Sequence, residues 1–275
     1  MRLRLGMVQL LVEGGEPERN LARAEEWIAK AAASGCQIVL LPETLDLVWT
    51  HPSAKTEAQP IPGPYSDRLC AAAAKHGITI CAGLTEKDGD KVYNSALLID
   101  DKGNILLKHR KINILRVCYE FYAPGRKLEV VETPFGLIGV NICSDNYSDA
   151  LELAHSLARM GAQIILSPSS WTVDYSVTEA NDPYGEKWFK PYHTIASLYD
   201  LVVAGATSVG YIVGGPYEGK KSVGRSLCVG KDGIIAEGRF NEFATDLVVA
   251  EFEVPPPHEV GTAIGEMLKA KGHYR

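Results

Sequence analysis

The chain has 275 residues, 46% hydrophobic and 23% charged, with 28 Lys and Arg against 34 Asp and Glu for a net charge of -6. That length and apolar share allow a large buried core, and a mildly acidic chain with no basic run argues against nucleic acid as the main partner. No run approaches about 18 uninterrupted apolar residues, so no membrane span is expected, and the opening Met1-Arg2-Leu3-Arg4-Leu5-Gly6 lacks the apolar region and cleavage site of a signal peptide.

A strand is expected near residues 3–10, then a helix from about Pro17, a residue suited to a first helical turn. Leu21, Ala24, Ile28 and Ala31 recur at helical spacing, and Gly35 supplies the stop. Residues 37–41 (QIVLL) form a short apolar run of the kind found in strands covered on both faces. After a polar, Pro-rich stretch at 51–65, Ser66 is placed as the cap of a helix over Leu69, Ala73 and Ala74 that ends at Gly77. Strands at 78–85 and 92–100 flank a turn at Asp88-Gly89, and Asp101-Lys102-Gly103-Asn104 turns the chain into a strand at 105–112.

The second half repeats this grammar. A strand at 136–143 leads to a helix near 148–160, a strand at 162–168, a helix near 187–200 and a strand at 201–209. Lys231-Asp232-Gly233 makes a hairpin turn between 226–230 and 234–239, and a last strand spans about 246–254. These alternations predict an α/β fold of two sheets packed together with helices outside. No Gly-, Pro- or Ser-rich linker divides the halves, so residues 1–275 read as one domain, with a tail at about 255–275 that leaves the sheet to lie on a partner surface or end loosely. The six cysteines (Cys36, Cys70, Cys81, Cys118, Cys143 and Cys228) contain no CxxC pair and read as reduced thiols of a cytoplasmic protein.

Three reactive residues end apolar strands, where open α/β sheets bind ligands: Glu43, Lys111 and Cys143. Singly, each has an ordinary reading as a loop carboxylate, a surface cation and a buried inert thiol. Together they form a mechanism. A thiol at the mouth of a following helix is favoured as thiolate by the helix dipole. A nearby carboxylate can take its proton and later activate water, and an ammonium can stabilise an oxyanion.

On the segments Leu40-Leu41-Pro42-Glu43-Thr44, Lys108-His109-Arg110-Lys111-Ile112 and Gly139-Val140-Asn141-Ile142-Cys143-Ser144-Asp145, the sequence resembles the nitrilase superfamily of carbon–nitrogen hydrolases. Smaller echoes are Tyr93-Asn94-Ser95-Ala96, Pro124-Gly125 and Ile164-Ile165-Leu166-Ser167-Pro168-Ser169-Ser170-Trp171. The resemblance implies a four-layer α-β-β-α sandwich with two mixed sheets, paired into homodimers or larger homo-oligomers through a helical face. It implies Glu43 as general base, Lys111 as oxyanion stabiliser and Cys143 as nucleophile, with no metal and no organic cofactor. It also implies that Glu120, just before Pro124-Gly125, orients Lys111 or the substrate, and that the Ser144 N–H completes the oxyanion site.

The surroundings depart from the pattern: Ser144 stands where many amidase-like members carry Tyr, and 145–149 (DNYSD) lacks the usual aromatic-Pro-Glu ending. Cys143-Ser144-Asp145 is unlike the Cys-Trp-Glu of true nitrilases, which favours a small amide, N-carbamoyl compounds included, over a nitrile. Asn146 occupies the neighbourhood where N-carbamoyl hydrolases often place a basic residue. Trp49, Tyr119, Tyr147, Trp171, Tyr175 and Trp188 are aromatic candidates for the pocket, of which Tyr147 and Trp171 join Ser144 and Asn146 as expected substrate contacts. A silent binding protein on the same scaffold, or acyl transfer from the same thioester, are the alternatives. The Gly- and Lys-rich stretch 210–224 lacks phosphate-loop spacing and is placed near the site mouth, and the seven histidines show no metal-binding spacing.

Overall fold

The computed structural model describes residues 1–182 and 184–257, together with Ala270 and Gly272. Its first half runs β1 (Arg2–Gln9), α1 (Pro17–Ala33), β2 (Ile38–Leu40), α2 (Ala54–Glu57), α3 (Pro64–His76), β3 (Thr79–Asp88), β4 (Lys91–Ile99) and β5 (Ile105–Arg110). The second runs β6 (Val130–Thr133), β7 (Gly136–Val140), α4 (Glu152–Arg159), β8 (Ile164–Ser169), β9 (Thr172–Val173), α5 (Glu186–Tyr199) and β10 (Val202–Thr207). It closes with β11 (Val209–Tyr211), β12 (Lys221–Val223), β13 (Leu227–Gly230), β14 (Gly233–Glu237) and β15 (Asp246–Glu253).

One six-stranded sheet has the order β15-β1-β2-β3-β4-β5 and a second the order β14-β13-β10-β8-β7-β6. Both are mixed: β1, β2 and β3 pair in parallel, as do β7, β8 and β10, while hairpins and β15 add antiparallel edges. The period of two along each strand sorts its side chains between two cores. Leu3, Leu5, Met7, Ile38 and Leu40 join Ile138, Val140, Ile164, Leu166 and Ala204 between the sheets. Val8, Val39, Ile80 and Ala82 point the other way, onto Leu21, Ala24 and Ile28 of α1 and Leu69 and Ala73 of α3. Each fully buried Leu or Ile contributes roughly 2 kcal/mol, so these two apolar layers fix the sandwich.

The strand and helix expectations meet the structure closely, with instructive differences. Ser66 lies within the first turn of α3 rather than before it, and its hydroxyl accepts a hydrogen bond from the Gly63 N–H at 2.9 Å. Gly77 ends that helix in the left-handed region at φ 60°, a conformation glycine adopts without strain. The helix expected directly after Cys143 starts only at Glu152, because Cys143–Asn146 first makes a single 3-10 turn. A small third sheet, β11-β12-β9, was not foreseen, since strands of two or three residues carry too little periodicity to read. The tail expected at 255–275 lies almost wholly outside the described residues.

Candidate active site

The three strand ends converge. Just past β2, the Glu43 N–H donates to the carbonyl of Ser169 at the end of β8, at 3.2 Å, tying the two sheets together. The loop crosses so close to β3 that a Cβ on Gly83 would stand 2.6 Å from the Glu43 Cα, so only glycine lets it pass. Gly83 in turn donates to the Pro42 carbonyl at 3.0 Å and accepts from the Leu45 N–H at 3.0 Å. Farther along the same loop, buried Asp46 accepts the Thr85 N–H and hydroxyl. The backbone around Glu43 is therefore held on both sides.

Lys111 follows β5. Its N–H donates to the Asn94 carbonyl at 2.8 Å, and its own carbonyl accepts the Gly125 N–H at 2.7 Å. The Lys111 ammonium donates to Glu43 Oε1 at 2.5 Å, and the Asn94 side-chain amide donates to the same oxygen at 2.6 Å. Glu43 and Lys111 are both about 2% exposed.

Cys143 follows β7 at φ 45°, a left-handed conformation uncommon for a residue with a side chain and characteristic of functional turns. Its N–H donates to Ser167 Oγ at 3.1 Å. Its sulfur lies close enough to the Ser170 N–H and the Glu43 carboxylate for both to act on its proton affinity. Asp145, wholly buried, clamps this turn to the Lys111 strand. Its Oδ1 accepts the N–H groups of Ile112 and Asn113 at 3.2 and 2.8 Å, and its Oδ2 accepts the Ile142 N–H at 3.0 Å. His109 Nε2 lies 2.9 Å from the same Oδ2.

Burial pushes the Cys143 thiol up to about 12, and the neighbouring Glu43 carboxylate adds to the rise against the opposing pull of Lys111. At neutral pH Cys143 is thus a neutral thiol. This corrects the expectation of a dipole-favoured thiolate, because one 3-10 turn carries little of the macrodipole of a long helix. Burial opposes charge on Lys111, but the Coulomb attraction and hydrogen bond of Glu43 raise the ammonium above its ordinary value. Burial likewise opposes charge on Asp145, yet the His109 hydrogen bond and charge hold its carboxyl below the usual range.

Cys143, Glu43 and Lys111 form the floor of a cavity of about 120 Å³. Trp49, Tyr147 and Trp188 wall it, and Tyr184, Lys187 and Tyr217 are among the other lining residues. A larger concavity of about 550 Å³ runs along β5 past Lys91, Arg110 and Arg126, but holds none of the three reactive groups. Among the described residues, no cluster of His, Cys, Asp or Glu could hold a metal ion.

Of the expected substrate contacts, Tyr147 lines the cavity and the other three side chains lie behind it. The Ser144 hydroxyl turns away to donate to the Asn113 carbonyl at 2.7 Å. Asn146 exchanges amide hydrogen bonds with Asn141 at 2.6 and 2.8 Å and donates to Ser167 at 2.9 Å. Trp171 stacks on Trp188 at 4.7 Å, one layer back. Glu120 requires the clearest correction: its exposed carboxylate pairs with Lys55 at 3.0 Å and reaches neither Lys111 nor the cavity. It lies just past a 3-10 turn (Arg116–Cys118) that directs Cys118 inward, where its sulfur meets the Trp49 carbonyl, and leaves Tyr119 and Glu120 outside. Tyr119 and Tyr175 are likewise exposed.

Sequence reasoning passed over Asn94, Asp145, Tyr184, Lys187 and Tyr217 as working parts. Asn94 and Asp145 stand inside the segments that carry the resemblance. Tyr217 lies in the 210–224 stretch placed near the site mouth.

The family described as carbon-nitrogen hydrolase matches residues 4–255. An omega-amidase of Danio rerio is 32% identical over 182 residues, covering 62% of this chain and 65% of its own. A nitrilase of Pyrococcus abyssi is 34% identical over 179 residues, covering 63% and 67%. The chain thus aligns with a little under two thirds of the length of the curated omega-amidases. A carbon-nitrogen hydrolase of Helicobacter pylori superposes with a TM-score of 0.80 at 21% identity, over 92% of this chain and 89% of that one. A variant of the Nesterenkonia sp. amidase, bearing the acetamide moiety of fluoroacetamide on its active-site cysteine, gives 0.77 at 19% identity over 91% and 90%.

Proposed function

This chain belongs to the carbon–nitrogen hydrolase family, and on that premise we propose that it hydrolyses a non-peptide carbon–nitrogen bond in a small amide through a thioester on Cys143. The observation that carries the reading is the shared carboxylate: Glu43 binds the Lys111 ammonium through Oε1, keeps a buried Oε2 without a hydrogen-bond partner, and lines one cavity with the Cys143 thiol. A thiol held near 12 needs a base at the moment of attack. Glu43 is that base. As Cys143 Sγ attacks the carbonyl carbon, the thiol proton passes to Glu43 and negative charge gathers on the carbonyl oxygen. Lys111, with the Ser144 N–H, stabilises that oxyanion, a role typically worth about 3 kcal/mol per donor.

Collapse of the tetrahedral species breaks the C–N bond while Glu43 returns the proton to nitrogen, so ammonia or an amine leaves and the thioester remains. Water then gives its proton to Glu43 and attacks the thioester. Cys143 leaves as the thiol, and the carboxylic product departs. No cofactor enters the cycle. A cavity of about 120 Å³ suits a small acyl group.

Two coarser expectations belong to the same proposal. Six free cysteines suit a reducing cytoplasm, and among the described residues no helix is long and apolar enough to cross a membrane. A homo-oligomer through the helical face accords with exposed Met160 and Leu198 at the ends of α4 and α5; a monomeric mass in light scattering would refute it. The central test is ammonia release from ω-amides, aliphatic amides, N-carbamoyl compounds and nitriles by wild type and Cys143→Ala side by side. Release from at least one amide class that vanishes in the variant is expected, and undiminished turnover in Cys143→Ala overturns the reading.

A further inference from the structure

The cavity floor is electrically balanced, because the Lys111 ammonium and the Glu43 carboxylate neutralise each other. Lys187, in the first turn of α5, is the other cation lining the cavity. Two further lysines near this end of the fold are neutralised: Lys55 pairs with Glu120 and Lys220 with Asp174. Lys187 is exposed and, among the described residues, forms no ion pair. Its ammonium instead lies 4.8 Å from the ring centre of Tyr147, 5.3 Å from Tyr184 and 5.9 Å from Trp188. Such a ring frame attracts a cation without consuming its charge or its donors. Tyr147 and Trp188 are packed against each other at 5.1 Å, so the frame is built into the pocket wall. Glu186 shares this first turn, but adjacent helical residues do not face one another.

We propose that Lys187 binds a substrate carboxylate, so that the substrates are small amides carrying an anionic group remote from the scissile bond. Monoamides of short dicarboxylic acids and N-carbamoyl amino acids share this chemistry. The inference rests on the hydrolase reading for which end of the ligand reacts. The cavity supplies its length limit, because an amide at Cys143 and a carboxylate at Lys187 must share about 120 Å³.

The test pairs each anion with a neutral isostere: succinamate against 4-methylpentanamide, and N-carbamoylglycine against isobutylurea. For at least one pair, wild-type kcat/KM should favour the anion by about tenfold or more. Lys187→Met should cut that ratio by about tenfold, Lys187→Arg should keep it within about threefold, and Lys187→Glu should bring it below one. The pair that shows the preference separates the dicarboxylic from the N-carbamoyl class. Succinate binding to Cys143→Ala, followed by tryptophan fluorescence with and without Lys187→Met, reads the anion site without turnover. Turnover with no anionic preference, or with a preference that Lys187→Met leaves intact, overturns the Lys187 assignment and spares the hydrolase. Lys187-dependent succinate binding in a protein that cleaves no amide does the reverse.

Discussion

The cavity floor and the cavity mouth are built by different means. The floor groups Glu43, Lys111 and Cys143, with Asn94 behind them, stand on or next to strands of the two sheets, are almost fully buried, and are fixed by hydrogen bonds that cross between strands. The mouth residues Tyr184, Lys187 and Tyr217 come from a loop, the first turn of a helix and a hairpin; Lys187 lies over the Tyr184 ring and Tyr217 meets Trp49 edge-on. A floor fixed from several directions suits chemistry that tolerates little displacement. A mouth on connecting segments can change its ligand without disturbing the sheets.

Breaking the floor should cost most. Glu43→Gln removes the base and should lower turnover by about 10³-fold, roughly 4 kcal/mol. It also removes the anion that helps raise the thiol, so the pH profile of Cys143 alkylation should move to lower pH while hydrolysis falls. A parallel loss of hydrolysis and alkylation with no shift in the profile would contradict the shared-carboxylate arrangement.

The loop that carries Glu43 makes the next prediction. Burial raises Asp46 to about 6 from 3.8, against the hydrogen bonds it accepts from Thr85. The folded protein then binds that proton more tightly than the unfolded chain does. The contribution is fully present below the unfolded value and is lost as pH rises through about 6, amounting to roughly 3 kcal/mol. Denaturant unfolding between these pH values should show this fall in the wild type and a flatter profile in Asp46→Asn. Identical slopes would place the titration elsewhere.

Asp145→Asn tests the clamp between the two sheets. An amide in place of the carboxylate must present N–H to at least one of the donors now gathered there, at a cost of about 1–3 kcal/mol. We expect kcat to fall by about 10- to 100-fold, with Cys143 still alkylated and KM little changed. A change confined to KM would instead put Asp145 in substrate binding. The mouth should give the smallest effect. Tyr217→Ala removes an edge-on partner of Trp49 at 5.1 Å and should raise KM by up to about tenfold, near 1 kcal/mol, with kcat within about twofold. A larger loss in kcat than in KM would erase the distinction between floor and mouth.

The sequence by itself determined the succession of the main strands and helices along the chain, the two-sheet plan and the three residues of the floor. The reason is local: alternation along a strand and an apolar run ending in Glu43, Lys111 or Cys143 are visible within a few residues. Proximity to those residues in sequence was a poorer guide. Side chains next to Cys143 and along β8 point in different directions, so Ser144, Asn146 and Trp171 support the cavity from behind while Tyr147 faces it. For the same reason Glu120, two residues past a buried cysteine, is a surface charge. Only the tertiary structure decided that Asn94 shares an oxygen of Glu43 with Lys111, that Asp145 joins two strand ends, and that Lys187 stands inside an aromatic frame. Each of those arrangements is made by contacts between segments far apart in the chain, and no local pattern encodes which segments will meet.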